Sequence, residues 1–284
     1  MIFVAAVKVQ SFSLDFLDVT WELVDTSEDV TGYTFTVQRS ESPAGPFDDV
    51  ASGLVDLYTH RDRRADLYTR WRTYYYRVQV KKPVTGETSL SPVSFLGAEP
   101  DRVALEMARL QQLVLKVHIG TPVLVYKRRT SGQACPQCYD PVRGRTTDSD
   151  CEFCFNSRYR GGFLSPVPTF VNFTPGNKVI QLAGPIEQEP SEKTTDMTGY
   201  PLMNPGDLIV DPQNRRWRVS NIQERSKQGF VFRQILRLTE ISRTEVVYKL
   251  KIDSTLFPTR EGELWPLPWD TGKIVQVPEA VIGR

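Results

Sequence analysis

Val19-Thr20-Trp21-Glu22-Leu23 and Tyr33-Thr34-Phe35-Thr36-Val37 are two short stretches in which apolar and polar residues alternate. Successive side chains of a β-strand point to opposite faces, so Tyr33, Phe35 and Val37 should share one buried face. Strand-like runs of this kind recur through residues 1–97 with turn-rich stretches between them, at residues 2–9, 17–23, 33–39, 74–80 and 92–96. This pattern predicts an N-terminal β-sandwich.

The order of residues in this sandwich resembles a fibronectin type III domain. The features that carry the resemblance are Val19-Thr20-Trp21, Gly32-Tyr33-Thr34-Phe35, a hairpin at residues 40–47, the run at residues 74–80 and Ser89-Leu90-Ser91-Pro92. The resemblance covers about a third of the chain and implies two packed antiparallel sheets with a binding or spacer role. The loop at residues 56–71 departs from the pattern, because it is longer and richer in arginine.

A single helix is predicted after the sandwich, at about residues 101–117, with Pro100 and Asp101 at its start. An apolar stripe recurs at helical spacing and is predicted to face the core. The stripe consists of Val103, Met107, Leu110, Val114 and Val117. A docking helix in a ring-shaped assembly is the alternative interpretation. A strand at residues 122–126 follows, so residues 98–129 are assigned to the helix and a linking strand.

A second β-rich region follows, and residues 163–252 are predicted to form a small β-barrel-like domain. Its candidate strands lie at residues 162–173, 179–182, 206–210, 216–222, 229–241 and 246–252. Residues 185–205 are polar and flanked by prolines, which favours a long loop. Prolines then punctuate residues 253–284, which predicts an extended C-terminal arm. Its apolar side chains should be buried, and the length of the arm favours a neighbouring subunit over its own β domain.

The four cysteines of the chain, Cys135, Cys138, Cys151 and Cys154, follow the pattern C-x2-C-x12-C-x2-C within residues 130–162. Two such turns that face each other supply a tetrahedron of thiolates, the arrangement that structural zinc prefers. Residues 1–8 do not resemble a signal peptide, and no apolar run approaches a membrane span. Metal ligation is therefore favoured over disulfides, with two disulfides or an iron–sulfur centre as the alternatives.

No catalytic function is expected. Four protein thiolates leave a zinc ion without an open position for water. The two histidines, His60 and His118, are far apart, and no nucleophile elbow, P-loop or dinucleotide motif occurs. The net charge of +1 gives no global attraction to nucleic acid or membranes. The knuckle region at residues 127–160 holds seven basic and four acidic residues, so nucleic-acid binding there is possible but not favoured.

A hairpin signal follows in Gly206-Asp207-Leu208-Ile209-Val210-Asp211 and Arg216-Trp217-Arg218-Val219. This hairpin resembles the small β-barrel of head-closure and neck proteins of tailed bacteriophages. The resemblance implies a structural subunit of the virion, assembled in the host cytoplasm into a homo-oligomeric ring with portal, tail-terminator or fibre proteins as neighbours. A tail or baseplate protein is the alternative within this class. A zinc-ribbon nucleic-acid adaptor and a cryptic hydrolase are the rivals from other classes.

Overall fold

The computed structural model describes residues 2–12, 16–63, 73–97, 101–148, 150–174, 192–227 and 230–260. The fold is mostly β. In the described part of the chain, an N-terminal β-sandwich and one α-helix are followed by a closed β-barrel, and a four-cysteine knuckle is inserted between the first two barrel strands. No helix in these ranges is long and apolar enough to cross a membrane.

The sandwich consists of two antiparallel sheets. Its strands are β1 (Val4–Gln10), β2 (Leu17–Leu23), β3 (Thr34–Ser40), β4 (Asp48–Val55), β5 (Thr59–Asp62), β6 (Tyr75–Lys81), β7 (Thr88–Leu90) and β8 (Ser94–Phe95). One sheet has the order β1-β2-β5 and the other β4-β3-β6-β7, with β8 also paired to β6. Tyr33, Phe35 and Val37 are all buried in the core between the sheets, as predicted.

Trp21 joins the same core and packs against Phe35 with ring centroids 5.7 Å apart. Two packed sheets are the architecture that the fibronectin resemblance implies, whereas membership of that family stays a prediction. Strand β5 lies in the segment that the sequence suggested to be a long loop. It pairs with β2, and the Arg61 guanidinium forms a two-point ion pair with Asp18 across that pairing, at 2.7 and 2.8 Å.

Helix α1 spans Arg102–Val114 and continues into a π-helical turn, Leu115–Ile119. Asp101 caps its N-terminus, because a side-chain oxygen accepts a hydrogen bond from the backbone N–H of Val103. The prediction that the apolar stripe faces the core is wrong. Ala104, Leu105 and Ala108 are buried instead, and they pack on Phe230. Small side chains let the helix approach the barrel closely, which leaves the larger ones outside.

The barrel is a closed sheet of six strands. The remaining strands among the described residues are β9 (Thr121–Tyr126), β10 (Tyr139–Asp140), β11 (Arg145–Thr146), β12 (Val167–Thr174), β13 (Glu192–Thr198), β14 (Leu208–Val210), β15 (Arg216–Lys227) and β16 (Phe230–Glu240). The barrel has the order β12-β13-β16-β15-β14-β9, and the first and last strands pair to close it. Trp217 and Val219 both point into its core, as the hairpin signal predicts.

Three parts of this region differ from the sequence-based prediction. Strand β13 lies within the predicted loop at residues 185–205, because Thr195 and Met197 are buried in the barrel although the segment is polar overall. Strand β9, assigned to a linking segment, is one of the barrel strands. The predicted strand at residues 246–252 is wrong: Val246–Lys249 is a short 3-10 helix whose buried valines join a second apolar cluster with Leu124 and Leu208 of β9 and β14.

The predicted C-terminal arm lies mostly outside the described residues. Ser254–Leu256 forms one 3-10 turn, and Phe257 is half-buried against the apolar cluster that contains Leu124 and Leu208. Residues 261–284 and the candidate strand at residues 179–182 fall outside the described ranges.

Candidate metal centre

The four cysteine sulfurs converge in the knuckle between the sandwich and the barrel. All four side chains are buried, and their Sγ atoms lie within 4.8 Å of one another. The Sγ atoms of Cys135 and Cys151 are 3.8 Å apart, and those of Cys138 and Cys154 are 3.3 Å apart. No disulfide joins them. The cluster can hold a metal ion.

Tight turns hold each pair of cysteines. The carbonyl of Cys135 accepts a hydrogen bond from the N–H of Tyr139, and the carbonyl of Cys151 accepts one from the N–H of Phe155. The strands β10 and β11 form a small hairpin in the twelve-residue interval between the pairs. This hairpin brings the second cysteine pair back toward the first.

A glycine is required where the chain leaves the second turn. Gly162 has a φ of +69°, which side chains rarely adopt, and a Cβ there would lie 2.7 Å from the carbonyl oxygen of Cys154. The backbone therefore passes directly against the second cysteine turn, and only glycine fits that approach.

Protonation differs among the sulfurs. A hydrogen bond with Cys154, helped by the backbone N–H groups of Gln137 and Cys138, lowers the pKa of Cys135 to about 5. Burial raises the pKa of Cys138 to about 12, and the hydrogen bond with Cys135 together with burial raises the pKa of Cys154. Without a cation, Cys135 is therefore the most readily deprotonated of these three cysteines. A cation among the sulfurs would favour deprotonation of all four.

The knuckle is joined to the sandwich by backbone and side-chain contacts. Thr26 of the sandwich donates to the carbonyl of Gly132 (3.1 Å) and accepts from the N–H of Ala134 (2.9 Å). The Tyr159 hydroxyl donates to Asp25 at 2.8 Å. Arg160 donates to Asp29 at 3.2 Å and also contacts Thr31. The residues just before and just after the cysteine pairs thus contact one loop of the sandwich.

The same knuckle is also anchored in the barrel. Phe155 and Phe163 pack together with ring centroids 6.2 Å apart, and both belong to the core cluster that contains Leu124 and Leu208 of strands β9 and β14. Backbone hydrogen bonds join Arg129 to Gly162 and Leu164 to Lys127. The cysteine cluster therefore lies at the joint between the two β domains.

Most basic side chains of the knuckle region have partners within the chain. Six of the seven counted at residues 127–160 make such contacts. Lys127 pairs with Asp207, Arg128 with the Asn156 carbonyl, Arg129 with the Arg160 carbonyl, Arg143 with Asp140, Arg158 with the Tyr139 hydroxyl and Arg160 with Asp29. Lys127 and Arg129 are also buried. Three of these contacts are ion pairs with carboxylates, and two of the basic side chains are buried, so less positive charge faces the solvent.

All four predicted ligand residues are thus brought together in one cluster. His118 is exposed on the π-helical turn after α1. The sequence gives no sign that Gln133, Tyr159 and Arg160 join the knuckle to the sandwich. No local pattern marks them, because their partners lie more than 100 residues away along the chain.

Comparisons with known proteins add little. No protein-family model and no curated protein sequence matches the chain. A solved structure described as "Titin kinase and its flanking domains" is similar over 84% of this chain, with 8% sequence identity and a TM-score of 0.26. The chain spans 37% of that structure's length. A likeness this weak carries no inference about function.

Proposed function

We propose that this chain is a structural subunit of a tailed-bacteriophage virion, a component of the neck ring that connects head and tail. In this proposal Cys135, Cys138, Cys151 and Cys154 hold one zinc ion, and its role is to stabilise the fold. The ion would fix the knuckle and, through it, the position of the sandwich on the barrel. Metal binding supplies folding free energy that so short a segment cannot obtain from its own core.

The observation that carries the structural role is the position of the four-sulfur cluster. It is buried and lies between two domains, each of which contacts the knuckle directly. Four thiolates complete the tetrahedral coordination of zinc, so no position is left for a water molecule or a substrate. Such a centre is suited to holding two domains together.

The sulfur spacing supports a single tetrahedral ion. Zinc–sulfur bonds of about 2.3 Å imply sulfur–sulfur separations of about 3.8 Å in a tetrahedron. The sulfur–sulfur separations of 3.8 Å from Cys135 to Cys151 and 3.3 Å from Cys138 to Cys154, with all others below 4.8 Å, match that size. They exceed the disulfide bond length of about 2.05 Å. An iron–sulfur cluster, which places several iron and sulfide atoms between its cysteines, needs more room.

The neck assignment within the virion rests on the barrel and its hairpin. The Gly206-Asp207 hairpin resembles one found in head-closure and neck proteins, and it lies in a closed six-stranded barrel. Strands β15 and β16 form a hairpin with arms of 12 and 11 residues, long for a barrel of this size. We expect the subunit to contact copies of itself and portal, tail-terminator or fibre proteins. A tail or baseplate position is the alternative within this class.

The nucleic-acid adaptor is less well supported. Binding of this kind relies on basic side chains that are free to neutralise phosphates. Most basic residues of the knuckle contact groups of the same chain, and Arg129 and Lys127 are buried. The basic side chains of this segment therefore mainly join the knuckle to other parts of the same chain.

Assembly of the purified full-length protein tests the proposal. We expect light scattering and negative-stain electron microscopy to reveal discrete rings. A Cys151→Ser variant should lack zinc and assemble poorly. An Asp148→Ser variant, an exposed change in the same segment, is the control and should assemble normally. A monomer that binds duplex DNA with a steep salt dependence would instead favour the adaptor.

A further inference from the structure

The outer face of α1 is an exposed apolar stripe. Its five members recur at helical spacing, and each is exposed by 39–56%: Val103, Met107, Leu110, Val114 and Val117. Ile119 extends the stripe through the π-helical turn and is 49% exposed. The opposite face of the helix already packs on the barrel through Ala104, Leu105 and Ala108. A contiguous apolar face of this kind marks a binding surface.

The last described residue of the chain lies at one end of this stripe. The Arg260 guanidinium donates a hydrogen bond of 3.1 Å to the carbonyl oxygen of Gly120, the residue that follows the π-helical turn. Arg260 therefore lies near the end of the stripe that contains Val117 and Ile119. The segment that follows it does not have to cross the molecule to reach the helix.

The residues that follow Arg260 have a composition that fits an apolar groove or stripe. Leu264, Trp265, Leu267 and Trp269 fall within six positions, with Pro266 and Pro268 between them. Proline restricts the backbone before binding, which lowers the entropy lost when a segment becomes ordered. Tryptophan is the residue that most often anchors an interface.

We propose that residues 261–269 of the same chain cover the exposed stripe of α1. The distance permits it: the stripe from Val103 to Val117 is about 21 Å long at a helical rise of about 1.5 Å per residue. Nine residues of extended chain span about 30 Å. Tethering at Arg260 gives the segment a high effective concentration at its own helix, which favours it over the segment of a neighbouring copy.

Photocrosslinking in the full-length protein tests this proposal. Leu110 is exposed, so replacing it with benzoylphenylalanine should leave the fold intact, which circular dichroism checks. Irradiation should give a product of monomer mass in which mass spectrometry maps the crosslink to residues 261–269. The matched control places the same group at Val84, an apolar residue of the sandwich that is 87% exposed. That position should give no crosslink to residues 261–269.

A second variant examines the anchors. Trp265→Ala/Trp269→Ala in the Leu110-substituted chain should lower the crosslink yield at least about tenfold, because two aromatic anchors are lost. Three results would overturn the proposal: crosslinks from Leu110 to another segment or to none, products of dimer mass that join two copies, or an unchanged yield in the double variant. None of these results depends on whether the protein forms a ring.

Discussion

Asp207, the acidic residue of the Gly-Asp hairpin signal, is a buried structural group. Its carboxylate pairs with Lys127 and accepts hydrogen bonds from the backbone N–H groups of Arg128 (2.8 Å) and Asn204 (2.6 Å). Burial raises the pKa of Asp207 and lowers the pKa of Lys127. The pair thus ties β9 to the turn before β14. Its charges are tolerated because each compensates the other.

Lys127→Met should therefore be strongly destabilising. It leaves a buried carboxylate without its cation, which costs about 3–5 kcal/mol of unfolding free energy. The unpaired Asp207 would bind a proton more tightly in the folded than in the unfolded state, so the stability of the variant should fall as pH rises. Urea titrations should therefore give a larger loss at about pH 8 than at about pH 5.

Lys8→Met is the control for that experiment. Lys8 pairs with Glu22 at 2.6 Å, but both side chains are largely exposed. Loss of such a pair costs less than about 1 kcal/mol. Equal losses in the two variants would contradict the buried role of Lys127.

Gly162 and Gly144 form a matched pair at the knuckle. Both have positive φ angles, +69° and +63°, so an alanine at either position carries a backbone strain of about 1–2 kcal/mol. Only at Gly162 would the added Cβ also collide with the Cys154 carbonyl; Gly144 has nothing within 4 Å. We expect Gly162→Ala to lower both metal content and thermal stability well beyond Gly144→Ala. Equal metal content and equal thermal stability in the two variants would mean that the close approach of the Gly162 backbone to the Cys154 carbonyl is not needed.

At the scale of elements, strands with alternating apolar and polar residues were predicted correctly, whereas a polar strand and the buried face of the helix were not. Alternation identified β2 and β3, because each has one buried face and one outer face. Strand β13 was missed because its buried Thr195 and Asp196 are polar, so hydropathy gave no signal. The buried face of α1 was missed for a related reason. Alanines make the barrel contact, and a stripe of larger residues is left exposed.

The sandwich should fold as an independent unit. Every residue of its main core cluster lies between Ile2 and Val80. The rest of the chain contacts the loop that follows β2, and Arg129 and Tyr200 also contact aromatic or basic side chains of the sandwich at Tyr58, Phe12 and Arg61. A fragment of residues 1–97 should give a β-type circular dichroism spectrum and unfold cooperatively. A random-coil spectrum for this fragment, beside a folded full-length chain, would show that the sandwich depends on the barrel.

Across the whole molecule, the knuckle connects two β domains whose cores are separate clusters. The cysteine spacing predicted the convergence of the four sulfurs, since two C-x2-C turns leave few other arrangements. The spacing could not predict that the knuckle lies between the domains. That position depends on long-range partners such as Tyr159 with Asp25, which only the folded chain brings together.

Removal of the metal should therefore weaken the joint before it unfolds either domain. After treatment with a strong chelator, limited proteolysis should cut within residues 139–150 and give two fragments on a denaturing gel. The nicked halves should stay associated under native conditions, because β9 lies on the N-terminal side of the cut and pairs with β12 and β14. The untreated protein should resist cleavage at these sites. Cleavage that is equally fast with and without chelator would contradict a metal-dependent joint.

The central claim is that one ion bound by four thiolates stabilises this joint. Native mass spectrometry of the intact protein, purified without chelator, tests it most directly. The account predicts one zinc ion per chain, lost together with the integrity of the knuckle in Cys135→Ser. A chain that carries no metal and whose mass lacks the four thiol hydrogens would show two disulfides in place of the metal centre, and it would contradict the account.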